Sequence, residues 1–367
     1  MKVLHICSSF IEGAFYKTMF NTLASKGVDN IVYVPRWTDK KTDDNVIVIN
    51  KKFSKISKLI YWFEQRYIYR DIISRIDVNQ IDCVHVHRIL YGGYSALRIK
   101  TEFGIPYIVA IRNSDLYGFM RNIKIYRIHC QKIMLNSYRV VFLSHSYKDF
   151  VLNNFIEKKY QNQIIDKAIV LTNGIDPYFL NNRLEIGKTY DMGNKKISII
   201  SIGDIDRNKN SITLVEGCEI LMNRGFEVSL TLAGRITDEK IYNKIKDKDY
   251  VLYLGVIEKE DVLKELRKAD IFAMPSIHET FGLVYAEAMT QGLPVVYSRG
   301  QGFDGQFRQG EVGYSVNCYD ASEIADKIEL ILKDYKNISN RCIERSEKYS
   351  WDNITKEYKE IYDDSRE

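Results

Sequence analysis

The 367 residues carry 53 Lys and Arg against 48 Asp and Glu, a net charge of +5, and 45% of them are hydrophobic. That balance excludes a disordered chain, and the absence of any apolar run near the roughly 18 residues a bilayer demands excludes a spanning helix. The length accommodates two domains, each large enough to bury its own core.

The opening MKVLHICSSF has too short an apolar stretch before Ser8 and Ser9 for a signal-peptide core. It is expected to form a buried first strand over 2–7 in a protein that stays in the cytoplasm. A helical pattern follows (Phe15, Met19, Phe20, Leu23) and closes at Lys26-Gly27, a C-cap signal. Short apolar runs then predict strands at 31–35, 83–87, 106–111, 139–144 and 168–174, with helical stretches between most of them. After the polar segment 177–195 the pattern restarts. Strands are expected at 196–203, 228–234, 250–255, 270–276, 293–298 and 313–316, and helices around 211–224, 259–268, 281–290 and 321–333. The tail, YSWDNITKEYKEIYDD, reads as an amphipathic helix using Trp351, Ile354, Tyr358 and Ile361.

Alternation of this kind predicts two mostly parallel, doubly wound α/β units, with ligands bound at the carboxyl ends of their strands in the crevice between them. The six cysteines are widely separated, with no CxxC pair, so reduced and mostly buried thiols are expected in place of a disulfide framework or zinc site. Charge is uneven: residues 1–176 hold 26 basic and 15 acidic side chains (+11), the remainder 27 and 33 (−6). The first half therefore suits an anionic partner.

Two basic stretches sharpen that expectation. Residues 51–75 carry seven basic and two acidic residues interleaved with aromatics, and 119–139 carry five basic residues and no acidic one. Basic amphipathic helices with aromatic side chains suit an anionic membrane surface, so peripheral attachment to the inner face of the cell membrane is expected. No nucleic-acid motif accompanies them.

The chemistry concentrates in PSIHETFGLVYAEAMTQGLPVV, 275–296. Glu279 precedes Phe281-Gly282-Leu283, which opens a helix, and Glu287 lies about a turn and a half into it. A helix opening offers unpaired amides and a positive dipole end to a phosphate, and Gly282 lets an anion approach the backbone. Glu287 can then accept from a ribose diol, and Glu279 can reach the hydroxyls of a sugar beyond the phosphates.

The Glu-x7-Glu spacing resembles the motif of retaining GT-B glycosyltransferases of family 4 (glycosyl transferases group 1), and the likeness runs along essentially the whole chain. It implies two Rossmann-like domains facing each other across a cleft, here 1–178 with the C-terminal helix 347–367 on the acceptor side and 179–346 on the donor side. It implies a nucleotide-diphosphate sugar donor, UDP-linked by default, no metal and no cofactor. In SIGDIDRNKNSITLVEG, 201–217, Gly203 and Lys209 match the diphosphate loop, whereas Asp204 stands where the family has Arg. Arg207 is the candidate replacement. Gly234 and Val256 match donor-side positions. Gly13, His87, Arg112 and Asp115 match positions near the transferred sugar or acceptor. The implied acceptor is a glycan, lipid-linked as in surface polysaccharide assembly, and departing phosphate takes the acceptor proton.

Two other classes share the fold. An NAD-dependent oxidoreductase needs G-x-G-x-x-G after a strand, and SSFIEGAF and SIGDIDRN have one glycine each. A nucleotide-sugar epimerase, or a sugar-nucleotide-binding protein without turnover, would keep the donor site and change its use. Asp204-Ile205-Asp206 formally fits an Asp-x-Asp metal motif, but it sits in the diphosphate loop and is read as coincidence.

Overall fold

The computed structural model describes residues 1–12, 14–38, 45–49, 61–112, 115 and 123–366. They divide into two compact units, one comprising Met1–Leu143, Tyr147–Thr172 and Trp351–Glu367, the other Ser144–Ser146 and Asn173–Ser350.

The first unit is built on a parallel sheet in the order β3-β2-β1-β4-β5-β6-β7. The strands are β1 (Lys2–Ile6), β2 (Asp29–Val34), β3 (Val46–Val48), β4 (Cys83–Val86), β5 (Tyr107–Ala110), β6 (Arg139–Phe142) and β7 (Ala168–Val170). Helices α1 (Ala14–Ser25), α2 (Tyr61–Arg75), α3 (Ile89–Phe103), α4 (Lys124–Asn136), α5 (His145–Phe155) and α6 (Lys158–Ile165) intervene. Side chains alternate between two cores, as period-two strands covered on both faces require. Leu4, Ile6, Val84 and Val86 join α2, α3 and α4 on one face. Val3, Cys7, Cys83 and Ile108 join α1 on the other, with the C-terminal helix α14 (Trp351–Asp364). Trp351 meets Phe15 edge-on at 4.8 Å, and Ile354, Tyr358 and Tyr362 are buried.

The second unit repeats the plan with the order β10-β9-β8-β11-β12-β13. Its strands are β8 (Lys196–Ile202), β9 (Glu227–Ala233), β10 (Val251–Tyr253), β11 (Ile271–Met274), β12 (Val295–Ser298) and β13 (Gly313–Val316). After a short helix α7 (Pro177–Asn181) come α8 (Ser211–Asn223), α9 (Glu239–Ile245), α10 (Lys259–Lys268), α11 (Leu283–Thr290), α12 (Ala321–Lys333) and α13 (Tyr335–Ser346). Fully buried β8 and β11 residues such as Ile199, Ile200, Phe272 and Ala273 fill its core.

In each sheet strand order reverses between two neighbours, β1 and β4 in one, β8 and β11 in the other. In open parallel sheets ligands are received at the carboxyl ends of such a pair. No helix among the described residues is long and apolar enough to cross a membrane. All six cysteines are free, five of them buried.

Candidate functional site

The loops leaving β8 and β11 form one interlocked structure in the second unit. Asn208 clamps the β11 loop: its Oδ1 accepts from His278 N at 2.9 Å, its Nδ2 donates to His278 O at 3.0 Å, and its carbonyl accepts from Ile277 N at 2.7 Å. The Asp206 carboxylate accepts from Lys209 N at 2.7 Å and tightens the β8 loop. Lys209 Nζ then reaches Glu279 Oε2 at 2.7 Å, with both side chains largely shielded. Glu279 is fixed from three more directions. Its Oε1 accepts from Thr280 N at 3.0 Å, its own N donates to Gln301 Oε1 at 2.9 Å, and its carbonyl accepts from Gly302 N at 2.8 Å.

Gly282 caps α11 in the left-handed region, φ +81°, and no side chain caps the helix there. An added Cβ would stand 2.5 Å from the Tyr285 ring. Tyr285 N donates to the Gly282 carbonyl at 3.1 Å, which leaves the Leu283 and Val284 amides, shortly after Glu279, without intrahelical acceptors. Phe281 itself turns inward, 5.4 Å from Tyr349 and 6.2 Å from Phe303, so only its backbone can meet a ligand. Glu287 is partly buried, and its carboxylate has no hydrogen-bonding partner among the described residues. Burial, reinforced by the Asp176 carboxylate, pushes its pKa up to about 7.

At the ends of β8, β9 and β10, Gly203 N donates to Ala233 O and Gly234 N to Gly255 O, both at 2.8 Å. Gly234 has φ +146°, and a Cβ there would lie 2.0 Å from the Gly203 carbonyl oxygen. Arg235 grips Asp204 with two bonds, Nε to Oδ1 at 3.1 Å and Nη2 to Oδ2 at 3.0 Å. Arg207 is exposed and has no side-chain partner among the described residues, and Val256 is 68% exposed. Both Asp-x-Asp carboxylates are thus engaged by protein donors.

Lys209, Glu279, Gly282 and Leu283 therefore come together, with Gly203, Gly234 and Val256 along the neighbouring strand ends. Glu287 lies farther down α11. Gln301, Gly302 and Asn208, which the sequence did not single out, hold Glu279 in place. Their only local signal is the Gly-Gln-Gly at 300–302 after a strand, because their partners are distant in the chain.

In the first unit, Gly13 lies outside the described residues. His87 is fully buried, its Nε2 3.1 Å from His5 Nδ1. Arg112 is partly buried, with Nε donating to the His87 carbonyl at 3.4 Å. The Asp115 carboxylate accepts from Arg112 N at 3.0 Å. Burial raises its pKa to about 6, against the opposing pull of Arg88 and Arg112.

Two parallel α/β units, with a cation and a carboxylate paired ahead of a glycine-opened helix at a switch point, define a nucleotide-sugar transferase architecture. Family models match on both sides: "Glycosyltransferase Family 4" over residues 15–178 and "Glycosyl transferases group 1" over 183–349. The chain belongs to the family 4 GT-B glycosyltransferases. It is 26% identical over 303 residues to N-acetyl-alpha-D-glucosaminyl L-malate synthase of Bacillus anthracis, covering 78% of this chain and 75% of that one. It is 26% identical over 204 residues to the capsular polysaccharide biosynthesis glycosyltransferase CapM of Staphylococcus aureus, covering 53% and 52%. Anabaena HepE, solved with UDP-glucose, superposes with a TM-score of 0.66 at 13% identity, covering 99% of this chain and all (100%) of that one.

Proposed function

We propose that this glycosyltransferase moves a hexosyl or N-acetylhexosaminyl residue from a UDP-sugar to a lipid-linked glycan, with retention of configuration and without a metal ion. The observation that carries the donor assignment is the Lys209–Glu279 pair, 2.7 Å apart, immediately before the opening of α11. When C1 parts from the diphosphate, negative charge grows on the leaving oxygens. Fixed positive charge placed there in advance lowers the barrier. Lys209 and the α11 amides supply it, and exposed Arg207 adds a guanidinium on closure of its loop. Glu279, released from Lys209 by the incoming phosphate, takes the sugar hydroxyls. Glu287 accepts from the ribose diol. The departing phosphate oxygen accepts the acceptor's proton on the face it leaves, which retains the anomeric configuration with no protein nucleophile.

Arg112 and Asp115 are assigned to the acceptor or sugar side of the first unit, as are His87 and Gly13. UDP is favoured because a GT-B protein of the same fold was solved with UDP-glucose. The polysaccharide setting is supported by the capsular relative. The membrane-bound acceptor is supported by α4 and α2: Ile125 and Ile128 are 56% and 51% exposed beside Lys124 and Arg127, and Phe63 is 72% exposed near Arg66. Residues 51–60 and 119–122 of the two basic stretches lie outside the described residues.

A thermal-shift panel of UDP, GDP and their sugars tests the donor site, with UDP and UDP-sugars raising the melting temperature. A panel in which no nucleotide shifts melting ends the assignment. Product anomers read by NMR test retention.

A further inference from the structure

Three adjacent strands of the first sheet, β1, β4 and β5, each place a polar residue two positions beyond their carboxyl end: Ser8, Arg88 and Arg112. Strand order reverses between β1 and β4, where open parallel sheets receive ligands. Arg112 is already assigned to the acceptor or sugar side. Arg88 and Ser8 have no part in that assignment.

The Arg88 side chain is only 19% exposed, and its Nε is buried with no hydrogen-bonding partner among the described residues. Asp115 is the carboxylate paired with it, but Oδ1 stands 3.8 Å from Nε, beyond hydrogen-bonding reach. The other Asp115 oxygen is held by Arg112 N at 3.0 Å. The Arg88 guanidinium lies over the Tyr91 ring, 4.3 Å from its centroid. A ring against one face fixes the guanidinium plane and leaves the N–H edge to donate. Arg112 brings a second guanidinium to the same strand ends, where its Nε donates to the His87 carbonyl at 3.4 Å. Both charges act on Cys7 and Tyr16, opposing the upward push that burial gives their pKa values. Beside Cys7, the Ser8 hydroxyl is buried without a partner among the described residues.

We propose that Arg88, with Arg112 and the Ser8 hydroxyl, binds a phosphoryl group of the acceptor, so that Arg88 selects a phosphorylated or diphosphate-linked sugar. The inference rests on the transferase reading and names the class of its acceptor. Two guanidiniums face one carboxylate, Asp115, which leaves a surplus of one positive charge for the ligand to answer. A neutral sugar hydroxyl leaves that surplus unanswered. A carboxylate has two coplanar oxygens, which a single guanidinium fork saturates. A phosphoryl group has three acceptor oxygens in a tetrahedron, and these can accept together from donors that arrive from three strand ends. Selectivity then comes from the protein: an unphosphorylated analogue leaves the buried Arg88 donors unpaired.

The test uses the full chain saturated with UDP, which closes the nucleotide site to phosphate. A hexose 1-phosphate, the same hexose unphosphorylated, and acetate are titrated at constant ionic strength while melting is followed. The hexose 1-phosphate is expected to raise the melting temperature and the other two to leave it unchanged. Arg88→Gln should weaken the response to hexose 1-phosphate by about 10- to 100-fold in apparent affinity and keep the full UDP shift. Arg88→Lys, which retains the charge and loses the fork, should fall between. Wild-type protein, which needs no variant to fold, overturns the proposal if hexose and hexose 1-phosphate act alike or if acetate matches the phosphate. Absence of a UDP shift in wild type is the separate signature of a failed donor assignment. A transfer assay with UDP-sugar distinguishes the two sources of phosphate, a prenyl diphosphate-linked glycan in vesicles and a soluble sugar phosphate. Whichever acceptor is used, kcat/KM should drop about 10- to 100-fold in Arg88→Gln with hydrolysis of the UDP-sugar unchanged. Equal kcat/KM in wild type and Arg88→Gln with both acceptors removes Arg88 from acceptor recognition.

Discussion

Glu287 carries a carboxylate that the fold leaves unpaired and pushes up to about 7 from an ordinary 4.5, through burial and then the Asp176 charge. The sign follows directly. A group whose pKa is raised on folding is protonated in the native state between about 4.5 and 7 and ionised in the unfolded one, so stability falls as pH rises through that window. Above it the ionised, poorly solvated carboxylate is a standing cost, and Glu287→Gln is expected to melt higher than wild type at pH 8. Nucleotide binding runs the other way. A ribose diol donates to the ionised form and stabilises it, so binding expels a proton. UDP affinity should therefore weaken by up to about tenfold per unit of acidification below the free-protein pKa. Glu287→Gln should bind weakly at every pH. Calorimetry in buffers of different ionisation enthalpy reads the released proton, and a flat pH profile in wild type removes the diol role. For the neighbouring pair, Lys209→Ala should lower kcat by about 10²–10³ as a lost electrostatic donor. Turnover equal to wild type would dismiss it.

At the scale of elements, the site depends on backbone contacts that admit no side chain. Gly302 approaches the β11 loop so closely that a Cβ would lie 2.1 Å from the Thr280 carbonyl. Gly302→Ala must push that loop, and Glu279 with it. Misplacement by about 1 Å costs about 10²-fold in rate, so kcat should fall by that order while UDP binding through Lys209 and Glu287 persists. A variant with unchanged kcat would show that Glu279 does not depend on this buttress. Such a contact is invisible in sequence because it joins residues about twenty apart through a loop with no periodicity. What was legible was periodic. The runs at 196–203, 228–234 and 313–316 became β8, β9 and β13, and the helices expected at 259–268 and 321–333 are α10 and α12. The edge strand β3, three residues beside a run of acidic and polar side chains, was missed for want of length. α13 was missed although Tyr335, Ile338, Cys342 and Ile343 recur at helical spacing, because two serines share its buried face and polar Lys, Asn, Arg and Glu fill the rest. The departure at Asp204 was legible, but its answer was not: Arg235, two residues beyond the next strand, pairs with it. The outer face of α4 offers a separate test. Replacing Ile125 and Ile128 with Ser should weaken sedimentation with anionic vesicles and leave transfer to a soluble acceptor intact. Unaltered vesicle binding would assign these residues elsewhere.

Across the whole molecule, the chain builds two cores of different provenance. The second is continuous in sequence apart from residues 144–146, whereas the first is completed by α14, after the chain has traversed the entire second unit. Trp351, Ile354, Tyr358 and Tyr362 are all buried there, so the cover that α1 gives this face of the first sheet is completed only when the last residues arrive. Two units with separate cores need not unfold as one, and a single melting temperature then conflates them. A nucleotide held by Lys209 and Glu287 stabilises only the unit that binds it, by about 2.7 kcal/mol at one hundred times Kd. Trp351→Ala, which removes a buried indole, should cost about 3–5 kcal/mol, all of it in the first unit. Differential scanning calorimetry can separate the two effects. The substitution is expected to lower one transition, UDP to raise the other, and the combination to push them apart. If Trp351→Ala and UDP act on one shared transition, the units unfold together. Donor binding then stabilises the core of the first unit as well, and the ordering of α14 becomes part of nucleotide affinity.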